Sequence, residues 1–139
     1  VMEFAGTNYP GVAVAAVAGY AFGAVYYMIL GRQWMSALGK TEAEIKGDGA
    51  KPWPFIIAFV AQLIMAWVLS GIIGHLGTGQ VTPVNGVISG AFVWFGFVLT
   101  TLAVSHGFQR AKTSLTVIDG AHWLGVLLIQ GLVIGLFGV

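Results

Sequence analysis

PWPFIIAFVAQLIMAWVLSGIIGHLGTGQVTPVNGVISGAFVWFGFVLTTLAVSHGFQ, residues 52–109, contains no Asp, Glu, Lys or Arg. No soluble fold of 139 residues hides that much apolar surface without a polar shell, so the solvent this stretch expects is lipid. Its middle, residues 76–83, is Gly, Thr, Gln and Pro-rich and reads as a tight turn between two apolar runs, 54–75 and 84–106. Working outward, residues 11–31 and 115–137 form two more such runs. Each is roughly 21 to 23 residues, or about 32 to 35 Å of helix, enough for a hydrocarbon core of about 30 Å. None alternates as a barrel strand must. Across the chain 8% of residues are charged and 58% hydrophobic, against roughly 25% charged in soluble domains. The expected fold is all-α: a polytopic, four-transmembrane-helix bundle forming one domain over residues 1–139.

The six basic residues set the threading. Arg32, Lys40, Lys46 and Lys51 lie between the first two runs, and Arg110 and Lys112 between the last two. Cytoplasmic loops retain Lys and Arg, so loops 32–53 and 107–114 are expected in the cytoplasm and both termini outside, in a bacterial inner membrane. The N-terminus has Glu3 in place of a basic region and runs into Tyr26, Tyr27 and Arg32, so it reads as a retained helix rather than a signal peptide. In the first loop, Thr41 and Glu44 have capping-box spacing and predict a short interfacial helix ending near Lys46 and Gly47. Asp48-Gly49 then turns, and Trp34 and Trp53 flank the loop at headgroup depth. So sparse a basic face suits the lipids of an anionic leaflet and offers little to nucleic acid.

Gly19 and Gly23, Gly86 and Gly90, and Gly131 and Gly135 place small residues one turn apart on the first, third and fourth spans. Such stripes let helix backbones approach closely, either within the bundle or as an oligomer seam. Trp67, Trp94 and Phe95 lie mid-span, where aromatic rings are expected to fill the space the glycines leave.

Chemistry has few places to be. There is no cysteine, which removes disulfides, thiolate metal sites and thiol catalysis. Asp119 is the one charged residue inside a run; His122 follows one turn later on the same helix face, and His106 closes the third span at the same end. Three readings of this trio compete. Asp119 pairs with Arg110, Lys112 or Arg32 and fixes a hairpin; or His106, Asp119 and His122 form a proton relay or polar mouth; or the two imidazoles and the carboxylate bind zinc or iron. His75 stands at the opposite end of the second span and reads as interfacial. No phosphate loop, zinc-protease motif or based nucleophile is present. No catalytic residue, cofactor or metal is expected.

Several pieces resemble one family. Gly23-Ala-Val-Tyr-Tyr27 with Gly31-Arg-Gln-Trp34, the loop from Gly39 to Glu44, Met65-Ala-Trp-Val-Leu69, Trp94-Phe-Gly-Phe97 with Thr100-Thr101, and Ile118-Asp-Gly-Ala-His122 resemble the bacterial membrane proteins grouped as domain of unknown function 1761. The resemblance runs over nearly the whole chain, with Tyr26 where an aromatic pair led by Trp is the pattern. It implies a compact four-helix membrane domain and no assigned reaction. Together with loops too short for a soluble catalytic site, this predicts a non-enzymatic structural or accessory component, a homo-oligomer or a subunit docked on other membrane proteins. The alternative is a small transporter or channel using the trio.

Overall fold

The computed structural model describes residues 3–47, 49 and 51–139. In chain order it has α1 (Tyr9–Leu38), α2 (Glu42–Lys46), α3 (Trp53–Gly74), α4 (Pro83–Val93), a π-helical segment (Trp94–Leu99), α5 (Thr100–Phe108) and α6 (Thr113–Phe137). No strand occurs among the described residues. α4, the π segment and α5 form one unbroken helix, Pro83–Phe108, so four helices are long and apolar enough to cross a membrane. The protein is a four-helix membrane bundle, as its hydropathy predicts.

Local sequence explains the helix ends. Asn8 caps α1 by accepting the Gly11 N–H at 2.9 Å, with Pro10 in the first turn where its missing N–H costs nothing. α1 then continues past residue 31, where hydropathy ends the span. Arg32, Gln33, Met35 and Leu38 are good helix formers, and the stop comes only at Gly39, whose φ of 76° suits glycine. Thr41 and Glu44 form the reciprocal capping box and start the short helix α2. Asp48, the first residue of the turn expected after it, lies outside the described residues. Thr82 caps α4 by accepting the Asn85 N–H at 3.2 Å.

The π segment loosens the third span. A π turn shifts the hydrogen-bond register by one residue and weakens the backbone ladder. Here Thr100 Oγ1 donates to the Gly96 carbonyl at 2.9 Å and Thr101 Oγ1 to the Phe97 carbonyl at 2.5 Å. Both threonines are thus satisfied within their own helix.

Consecutive spans run antiparallel around α6, which is the most buried; the third span is the least. The N-terminal segment closes one end: the Ala5 N–H donates to the Gly74 carbonyl at 3.0 Å, Phe4 packs on His75, and Gly6 lies against Val139. Both termini therefore share one end, and all six Lys and Arg lie toward the other. The apolar core sits where α1, α3 and α6 meet, with Ala15, Ala16, Ala66, Leu69, Ile73, Leu127 and Ile134 buried. On the other side of α6 the contact is backbone on backbone. A Cβ on Gly86 would strike the Gly131 carbonyl, one on Gly131 the Gly86 carbonyl, one on Gly90 the Leu127 carbonyl, and one on Gly135 the Thr82 carbonyl.

The aromatic expectation holds for one ring of three. Trp94 is half-buried and packs at the core, but Trp67 and Phe95 are 55% and 66% exposed and point out of the bundle. Backbone contact at the glycines leaves no interior volume for them, and in lipid an outward ring costs little.

Candidate functional site: a polar line along α6

The first turns of α6 collect three side-chain donors. Tyr26 Oη donates to the Ile118 carbonyl at 2.6 Å, Tyr27 Oη to Asp119 Oδ1 at 2.7 Å, and Trp94 Nε1 to the Gly120 carbonyl at 2.8 Å. Three consecutive residues thus accept from two neighbouring helices, two bonds coming from α1 and one from the π segment. The partner of Asp119 is a phenol and not one of the expected cations. Among the described residues the ion pair is Glu42–Lys46, at 2.7 Å on the surface of α2. Arg110 and Lys112 lie at helix ends and Arg32 is exposed on α1, whereas Tyr27 faces Asp119 from inside the α1–α6 contact.

His122 lies on the same side of α6 and is buried. Its imidazole sits among the rings of Phe22, Tyr26, Tyr27 and Trp123, with centroids 6.2, 5.5, 4.8 and 4.5 Å away. The ring reaches α1 at Gly23, where a Cβ would lie 2.7 Å from Nε2. Nδ1 has no hydrogen-bond partner. Gly23 is therefore a notch that receives a side chain, not a point of backbone contact.

The hydrogen-bond partner of His106 is Thr116 of α6. Its Nδ1 lies 2.7 Å from Thr116 Oγ1, on the side of α6 that faces α5. Among the described residues no group of three His, Asp or Glu side chains is placed to hold a metal ion. His75 is exposed at the opposite end, with Nδ1 2.6 Å from the Gly71 carbonyl of its own helix.

One functional-looking pair escapes the sequence reading. Gln62 of α3 and Gln130 of α6 are both buried, and Gln130 Nε2 donates to Gln62 Oε1 at 2.6 Å. They fill a second notch at Gly19 of α1, where a Cβ would collide with Gln62 Oε1 and come within 3.2 Å of Gln130 Nε2. Gln130 Oε1 remains unpartnered. The signal was available: a lone Gln in each of two apolar runs must find a partner in lipid. Asp119, His122 and Gln130 share one stripe of α6 and extend about 16 Å along its axis. The buried α6 residues between them are Gly120, Val126 and Leu127, and two open surface grooves, one at Arg32 and Lys112 and one at Tyr20 and Phe59, are lined by other residues.

With this geometry in place, residues 10–135 match a protein family described as Protein of unknown function (DUF1761). The chain belongs to the DUF1761 family. The match runs from the first turn of α1 nearly to the end of α6 and so takes in both glycine notches and the polar line. No curated protein and no solved structure matches the chain. For a DUF1761 protein the arrangement offers a carboxylate held by a phenol, an imidazole held by aromatic rings and an amide pair, all at helix–helix contacts.

Proposed function

We propose that this DUF1761 protein is a non-enzymatic structural or accessory component of a bacterial inner membrane, with basic loops in the cytoplasm and both termini outside. In this reading it works as a homo-oligomer or as a subunit beside other membrane proteins. One observation carries it. The buried polar line of α6 is spent on joining helices: Tyr27 to Asp119, His122 into the notch at Gly23, and Gln130 to Gln62 at Gly19. Interhelical polar contacts of this kind act as glue in lipid, where an unpaired group has no water to turn to. The short loops support the same reading, because they leave no room for a soluble catalytic site.

Proton flux into vesicles reconstituted with the purified protein, under an imposed potential, tests it against the relay. The structural reading predicts flux no greater than in empty vesicles. It also predicts that Asp119→Asn, which keeps an acceptor for Tyr27, assembles in the membrane like the parent, while Asp119→Leu does not. Flux that Asp119→Asn abolishes at normal abundance overturns the reading in favour of a transporter. Native mass spectrometry from the source membrane then reads the partner: whole-number multiples of one chain mean self-assembly, and foreign subunits mean an accessory role.

A further inference from the structure

Where the last turns of α1 meet the start of α6 there is an open groove of about 540 Å³. Its cationic lining comes from both helices, Arg32 from α1 and Lys112 from the N-cap of α6, and no carboxylate lines it. Gln33 and Ser114 add an amide and a hydroxyl, and Leu30 and Ile118 form its apolar part. Asp119, the nearest acid along α6, is occupied by Tyr27. Lys112 is anchored, donating to the Ser36 carbonyl at 3.3 Å, which still leaves its ammonium two donors. Arg32 has no ion-pair partner among the described residues. The α6 N-terminus has no side-chain cap, so its first N–H groups add positive potential at the same place.

We propose that this groove binds a phosphate group, and that its occupant is an anionic glycerophospholipid. The guanidinium and the ammonium hold the phosphate from two helices, Ser114 and the uncapped N–H groups complete its hydrogen bonds, and Leu30 and Ile118 receive the first acyl carbons. Two cations from different helices in one groove with Leu30 and Ile118 are matched by a lipid with a net negative charge. A zwitterionic lipid brings its own ammonium and gains less from them. A free phosphate would satisfy the cations and leave the apolar wall unused.

Native mass spectrometry of the detergent-purified protein tests this with three probes: phosphatidylglycerol, phosphatidylcholine and inorganic phosphate. The expected result is retention of phosphatidylglycerol at least about tenfold better than phosphatidylcholine. That preference disappears in the Arg32→Gln/Lys112→Gln protein, whose helicity matches the parent because both residues are exposed. Lys40→Gln/Lys51→Gln makes the same charge change outside the groove and keeps the preference. Inorganic phosphate competing at millimolar concentration confirms the phosphate chemistry and moves the assignment of the occupant from lipid to free anion. No preference among the probes, or a preference that either double variant loses equally, overturns the site.

Discussion

The two flanks of α6 use the same small-residue spacing for different ends. Toward α4, Gly86, Gly90, Gly131 and Gly135 bring backbone against backbone, and no side chain stands between the helices. Toward α1, Gly19 and Gly23 are notches that receive Gln62 with Gln130 and His122. The first flank gains dispersion contact from close approach, while the second gains hydrogen bonding and specificity from polar groups that must be housed. A stripe of glycines in a membrane helix thus does not reveal by itself what it will face.

The difference can be broken at its hardest point first. Gly131→Ala sets a methyl against the Gly86 carbonyl, which cannot rotate away, so a cost at or above the upper end of about 1–3 kcal/mol is expected. Reversible unfolding in mixed micelles measures it, and a loss under about 0.5 kcal/mol would mean the two helices separate freely.

On the other flank the polar pair gives a mid-sized effect of a different form. Gln130→Leu leaves Gln62 buried without its partner and should cost about 1–3 kcal/mol, whereas Gln62→Leu/Gln130→Leu should recover most of that loss. A double variant as unstable as the single one would show that the amides do not depend on each other.

Tyr27→Phe removes the donor to Asp119 and keeps the ring beside His122, so a loss of about 0.6 to 1.7 kcal/mol follows from measured interhelical bonds in membranes. Stability unchanged by Tyr27→Phe would reassign Asp119 to water or to a cation.

The smallest effect lies outside both flanks. The Lys46 ammonium beside Glu42 holds that carboxyl below its ordinary range. The sign is that of a depressed acid: the pair is intact above the unfolded carboxylate range and is lost as pH falls through the lowered value. Because both groups are exposed, Lys46→Ala should leave the unfolding midpoint at pH 7 and pH 3 within error of the parent. A pH-dependent shift would mean that α2 packs on something.

The sequence foretold architecture better than neighbours, for reasons visible in single residues. Hydropathy locates spans because lipid penalises every charge, and the Thr41–Glu44 spacing marks α2 because a capping box is local. The run of α1 beyond Arg32 was hidden, since charged residues that end a hydrophobic span do not end a helix. The partner of Asp119 was hidden too: charge suggested a cation, while azimuth delivered Tyr27. His106 was grouped with Asp119 and His122 by depth, and the side chain its imidazole meets is Thr116, one turn before Asp119. The π segment left no mark that could be read beforehand, although Thr100 and Thr101 serve it.

A double-mutant cycle on Gly23→Ala and His122→Ala tests most directly whether the polar line is packing. The added methyl crowds the imidazole in the parent and meets a vacated space once the ring is gone. The account predicts that Gly23→Ala costs at least about 1 kcal/mol less in the His122→Ala protein than in the parent. Additive losses would contradict it, because His122 would then owe nothing to the notch in α1.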